Sequence, residues 1–239
     1  MTTYGMRFLL PWSNHTVSTD NIFVIDFGMW IITLGGFITY LTQRARETKQ
    51  TIAARTLGCS ALYFALSFGL QSYAGHTMHA QAPALTDQAS YKTLAQPLQP
   101  LLWRQVIKDT DRYYVAYRSV LDRSIDVVRQ EFVQDPKVMT ELEALLSDDE
   151  TLTHHYQLVK DFARDYLRVT RTASGYLLEN MLSGPLLGRE DDNKWTRPFN
   201  FEIIQAEDKS YHMQQVHNPQ DITLTRDLWR KFWKRVGGY

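Results

Sequence analysis

The sequence predicts a membrane-anchored α+β protein: a transmembrane helical hairpin followed by an antiparallel sheet with two or three helices. Three observations carry that expectation. Two apolar runs, residues 22–41 and 56–74, lie near the start and are separated by a short basic loop. Beyond residue 100, apolar and polar residues alternate around turn signals. Between those alternating runs stand two stretches with apolar residues at helical spacing.

Residues 22–41 read IFVIDFGMWIITLGGFITYL. About 20 such residues cross a ~30 Å hydrocarbon layer. Residues 56–74, TLGCSALYFALSFGLQSYA, carry no charge and end in Gln71, Ser72 and Tyr73. Neither run has the form of a cleaved signal peptide. The alternative is a pair of buried core helices in a soluble protein. The loop between the runs holds Arg44, Arg46, Lys49 and Arg55 against Glu47, whereas the first 21 residues contain only Arg7. The positive-inside rule then puts the loop in the cytoplasm and both chain ends outside, in the periplasm of a Gram-negative cell. Ala61, Ala65 and Gly69 form a small-residue stripe suited to close helix packing, against either the first segment or a partner chain.

The domain expectation is therefore an extracytoplasmic segment at 1–21, the hairpin at 22–80, a linker at 81–99 and a soluble, periplasmic α+β domain at 100–239. The linker is rich in Pro, Ala, Gln and Thr and includes one short strand at 91–95. Residues 101–108 and 112–121 flank an Asp-rich turn and read as a β-hairpin. Asp135-Pro136 opens a helix with Val138, Met139, Leu142, Leu145 and Leu146 on one face. Ser147 and Glu150 read as a capping box for a second helix, with a stripe of Leu152, Tyr156, Val159, Phe162 and Tyr166. A second hairpin follows at 166–182, with Gly175 at its turn, and residues 198–206 read as an edge strand. About five antiparallel strands result, with two helices on one face.

The 26 basic and 26 acidic side chains cancel, which argues against a nucleic-acid partner. The aromatic content of 13% argues against a disordered chain. A single cysteine excludes an internal disulfide and a multi-cysteine zinc site. There is no G-x-S-x-G, phosphate loop or H-E-x-x-H. His76 and His79 are one helical turn apart, but no third ligand stands near them. His154 and His155, being adjacent on a helix, cannot face one ion, and Asp191-Asp192 fall in a polar loop. Asp26, inside an apolar run, is either an interfacial or N-terminal-turn acid helped by the helix dipole, or a member of a polar site at the outer membrane face. Residues 221–236 place Trp229, Phe232 and Trp233 at helical spacing among Arg226, Arg230, Lys231, Lys234 and Arg235. That helix either packs on the sheet or lies at the membrane interface.

Several separate patches carry a resemblance. They are Thr2, Thr3, Tyr4 and Gly5; Leu9, Leu10, Pro11, Trp12 and Ser13; the run from Asp20 to Asp26; and the Leu-Trp-Arg and Tyr-x-x-x-Tyr-x-Ser-x-x-Asp patterns within 101–122. In that order they resemble the bacterial inner-membrane metal-dependent hydrolases, also labelled LexA-binding or LexA-regulated, whose hydrolase label is an inference from His and Asp content. The resemblance implies a multi-pass inner-membrane protein and a divalent metal, zinc or manganese, with Asp20 and Asp26 as remnants of the polar site. It also implies a departure. Family members begin with further membrane helices bearing a His-Arg-Gly-x-Thr-His-Ser motif, and the Pro that usually follows the second Asp is Phe27 here. The chain thus resembles the C-terminal half of a family member, with an incomplete metal site and no expected hydrolysis on its own. Its implied partners are the bilayer and either a missing N-terminal half or further copies of itself. The alternative function is a non-catalytic, membrane-anchored binding module.

Overall fold

A computed structural model describes residues 11–13, 17–98, 100–124, 126–183, 199–206, 210–216 and 226–238. Within them the chain is α+β, with eight strands in two antiparallel four-stranded sheets and five helices.

The first apolar run becomes α1 (Phe27–Thr42), which starts five residues later than the sequence suggests. Asp26 stops it there, because its side chain accepts a hydrogen bond from the Met29 amide and caps the helix. Ile22 and Asn21 are instead buried in an irregular, bending segment ahead of the helix. At 16 residues α1 falls short of the length that spans a bilayer unaided, whereas α2 (Arg46–His79) is long and apolar enough to cross one. The two helices run antiparallel: Gly28 lies against Tyr63 and Gly36 against Thr56. A Cβ on Gly36 would fall inside the Thr56 side chain, so these glycines set the close approach. The outer surface of the pair is apolar and exposed, including Trp30, Ile31, Leu34, Phe37, Leu57, Leu62 and Leu66.

Ala61, Ala65 and Gly69 lie on that exposed surface, so of the two neighbours expected for them, α1 or a partner chain, α1 is not the one they meet. The face toward α1 is the one that carries Thr56 and Tyr63.

The first sheet is a meander of β1 (Ser90–Ala95), β2 (Leu102–Asp109), β3 (Arg112–Ser119) and β4 (Arg129–Val133). The register pairs Val106 with Val115 and Gln105 with Ala116. Alternation gives the sheet two buried faces. On one, Ala95, Trp103 and Ala116 pack against Ala74 and Met78 at the end of α2. On the other, Leu94, Val106, Tyr113 and Val115 pack against Tyr166, Met181 and Leu182. The strand expected inside a linker is thus β1, an edge strand with Leu94 and Ala95 fully covered.

Next come α3 (Pro136–Ser147) and α4 (Glu150–Phe162). Asp149, not Ser147, caps α4: its carboxylate accepts from the Leu152 amide, while Ser147 still belongs to α3. Tyr166 lies beyond the end of α4 and packs with the first sheet. The second sheet is β5 (Leu167–Arg171), β6 (Gly175–Asn180), β7 (Phe201–Gln205) and β8 (Tyr211–Gln215). Here the expected edge strand is internal, because β8, which the alternation did not reveal, pairs along β7. The five-strand, single-sheet expectation is corrected accordingly. Val138, Leu142, Leu152, Tyr156 and Val159 bury against Val169, Leu178 and Ile203. Finally α5 (Arg226–Val236) returns to the first sheet, where Phe232 and Val236 cover Leu102.

Candidate functional site

Tyr63, Ser67, Gln71 and Gly75 stand four residues apart, so on a helix they share one face. On α2 that face meets residues 19–26, β1 and β2, and the result is a polar seam joining the helical pair to the sheets. The Tyr63 hydroxyl donates to Asp26 Oδ1 at 2.5 Å. Asn21 Nδ2 donates to Ser67 Oγ at 2.6 Å. Gln71 Nε2 donates to the carbonyls of Thr19 (3.0 Å) and Thr93 (2.8 Å). Gln105 Nε2 donates to the Gly75 carbonyl at 3.0 Å. At the end of α2, Arg129 donates to the carbonyl of Met78 (2.7 Å), which satisfies a helix-terminal oxygen, and to that of Gln81 (2.9 Å) just beyond the helix. Burial of this guanidinium lowers its pKa.

Asp20 is the second buried acid of the seam. Its backbone carbonyl accepts from the Ala95 amide at 3.0 Å, extending the edge of β1. Its carboxylate faces Arg164, with Nη1 donating to Oδ2 at 3.0 Å and Nη2 3.0 Å from Oδ1. Ser18 Oγ also donates to Oδ1. Arg164 and Asp165 both have positive φ, 49° and 64°, a costly state for non-glycine residues outside a site that needs it. That left-handed pair reverses the chain after α4. It leaves Arg164 in the seam and Asp165 on the wall of a neighbouring cleft.

The cleft, about 770 Å³, lies among the β2–β3 turn, α3, α4 and the start of β5. Lys108, Tyr113, Glu143, Glu150, Tyr156 and Lys160 are on its wall. Lys108 Nζ donates to the Asp165 carbonyl at 2.7 Å, and Lys160 Nζ is 3.7 Å from the Asp165 carboxylate. Tyr113 donates to the Leu167 carbonyl at 2.9 Å. Burial, then the nearby phenols of Tyr156 and Tyr166, raises the pKa of Tyr113. Burial, then the negative charge of Glu143, raises that of Tyr156. Both phenols therefore stay neutral hydrogen-bonding groups.

The sequence-derived candidates divide among these features. Asp20 and Asp26 both enter the seam, each with its own partner. Asp20 is matched by a guanidinium, and Asp26 commits Oδ1 to Tyr63 and the Met29 amide, leaving buried Oδ2 without a hydrogen bond. A catalytic zinc takes three protein ligands and a water. One carboxylate held by Arg164 and one by a phenol do not fit that set. Among the described residues no three His, Cys, Asp or Glu converge. His79 stacks on Tyr91 at 4.5 Å, and His154 and His155 are exposed on α4. Pro11 sits in an exposed turn. Thr3, Tyr4, Gly5, Asp191 and Asp192 lie outside the described residues. On α5, Phe232 is buried, Trp229 is half-buried and Trp233 is 44% exposed.

Comparison with family models, with curated proteins and with solved structures finds no match to this chain.

Proposed function

We propose that the chain is a non-catalytic, membrane-anchored binding module, with the α1–α2 pair in the bilayer and the two sheets outside the cytoplasm. The observation that supports it best is the use made of the two candidate acids. Asp20 and Asp26 join helix pair to domain, as a neutralised ion pair and a helix cap, rather than presenting free oxygens to one ion. The apolar outer surface of the helix pair supports the anchoring, and the basic residues Arg44, Arg46, Lys49 and Arg55 at and after the α1–α2 turn support the orientation. The cleft beside Asp165 has the volume of a small-molecule site and supplies phenols, amides and both signs of charge.

A second reading is the metal-dependent hydrolase of the inner membrane, favoured by the free Oδ2 of Asp26 and by the resemblance of residues 20–26. Metal analysis of the purified full chain separates the two. The binding-module reading expects sub-stoichiometric zinc and manganese, unchanged by Asp20→Asn with Asp26→Asn. Stoichiometric metal that disappears in the double variant would establish the hydrolase reading instead. Alkaline carbonate extraction tests the anchor: the chain should stay with the membrane pellet, and its release would reject insertion.

A further inference from the structure

α5 has two faces with different chemistry. One is packed: Phe232 and Val236 are buried against Leu102, with Leu98, Leu101 and Trp229 around them. Arg235 is fixed to the same layer, donating to both oxygens of Asp122 and to the Tyr117 carbonyl. The other face shows Arg230, Lys231, Trp233 and Lys234, all exposed. Trp233 stacks on Trp229 with the rings 15° apart and is itself exposed.

The position of that face is set by Leu98. Its amide donates to the Ile25 carbonyl at 2.8 Å, and its carbonyl accepts from the Phe27 amide at 3.1 Å, at the first residue of α1. Its side chain packs in the α5 cluster. α5 therefore lies beside the point where the apolar helix pair begins. The exposed apolar residues Val24, Ile25, Phe27 and Trp30 stand at that same level. An aromatic ring flanked by long basic side chains, continuous with an apolar helix surface, has the chemistry of a headgroup-layer contact. We propose that the Arg230–Lys231–Trp233–Lys234 face of α5 docks on an anionic phospholipid surface, so that the second contact fixes the tilt of the domain over its anchor. This rests on the membrane-anchored reading. The inner face of α5 still belongs to the protein core.

The test uses the full chain in lipid nanodiscs of phosphatidylcholine, with or without about 30 mol% phosphatidylglycerol. The lipids carry bromine near the glycerol end of the acyl chain, which quenches tryptophan at headgroup depth. The emission lost in Trp233→Phe isolates Trp233 from the other tryptophans. The expected result is quenching of that component in anionic discs, weakening as salt rises from about 0.05 to 0.5 M. The ratio of docked to undocked domain should fall about fivefold for each of Arg230, Lys231 and Lys234 changed to Gln. Unquenched Trp233 in anionic discs, with the chain firmly inserted, would overturn the docking alone. Quenching equal in both lipids and indifferent to salt would overturn the anionic specificity. A chain that does not enter discs and is released by carbonate would overturn the anchored reading and this inference with it.

Discussion

Removing the Asp20 carboxylate tests whether the seam is structural. The Asp20 side chain is 6% exposed and that of Arg164 is 15%, so each leaves the other in a poorly hydrated place. Arg164 already has Nε and Nη2 buried without a hydrogen bond, so losing Asp20 leaves Nη1 unmatched as well. Breaking a buried pair costs about 3–5 kcal/mol, and the residual exposure of Arg164 points to the lower end, about 3. The reporter is the Ala95 amide, which bonds to the Asp20 carbonyl at 3.0 Å and exchanges with solvent only when residues 19–21 lift from β1. At about 1.4 kcal/mol per decade, Asp20→Ala should speed that exchange roughly a hundredfold or more in the full chain in detergent. Arg164→Met should do nearly the same. The double variant should be no worse than either, because neither charge is then left alone. Unchanged Ala95 exchange in both single variants, or strictly additive effects in the double, would refute the seam as described.

Gly28→Ala should push the Tyr63 ring off Asp26, and Gly36→Val should separate the helices, each costing about 1–3 kcal/mol in chemical unfolding; an unaltered midpoint for both would mean the helices do not approach so closely. Ala65→Leu, on the exposed face of α2, should leave that midpoint alone and alter only the oligomeric state measured by cross-linking, so a lowered midpoint would place the residue in the intrachain contact. The pH response follows from the raised pKa values of Tyr113, Tyr156 and Tyr166, each chiefly due to burial. Below about pH 10 these phenols are protonated whether folded or unfolded and contribute no pH dependence. Above it the unfolded chain loses protons first, and stability should fall by up to about 1.4 kcal/mol per pH unit for each phenol. Stability flat to pH 11 would contradict their burial, and replacing Tyr156 with Phe should reduce the slope. Leu142→Ala, at a fully buried position on the face of α3 toward the second sheet, should lower the free energy of unfolding by about 2–5 kcal/mol; a loss below about 1 kcal/mol would mean that α3 is not packed there.

Much of the fold could be read from local chemistry. The β2–β3 hairpin falls where an Asp-Thr-Asp break divides two aromatic and β-branched runs, and α3 begins at Asp135-Pro136. The errors fall where tertiary packing outweighs pattern. β4, Arg129–Val133, reads as a polar stretch because none of its side chains is fully buried. β1 falls where a short strand is expected, at 91–95, but its Pro- and Gln-rich surroundings read as a linker, whereas Leu94 and Ala95 are covered by the domain. β8 is an edge strand with two exposed glutamines and one exposed histidine, so neither propensity nor hydropathy marks it. For α4 the Ser-x-x-Glu pattern matched a capping box, yet Asp149 stands two residues later and its carboxylate reaches the Leu152 amide.

The candidate site was half legible, and the missing half has a physical cause. Asp26 stands out because a charge in an apolar run is costly. Its partner does not, because a tyrosine in an apolar helix is ordinary. The signal that was available is the four-residue spacing of Tyr63, Ser67, Gln71 and Gly75, which gives an otherwise apolar helix one polar face. A helix surrounded by lipid has no use for such a face, so the stripe implies that this side of α2 is covered by protein. In the structure it is covered by residues 19–26 and β1, and the Ala61, Ala65 and Gly69 stripe is left outward. Arg164 could not be paired with Asp20 from sequence at all, since 144 positions separate them. Only the reversal at Arg164 and Asp165, an unfavourable conformation for both residues, brings the guanidinium back to the seam. The same reversal sets Asp165 on the cleft, so one strained turn ties the ligand-sized cavity to the residues that hold the domain on its helices.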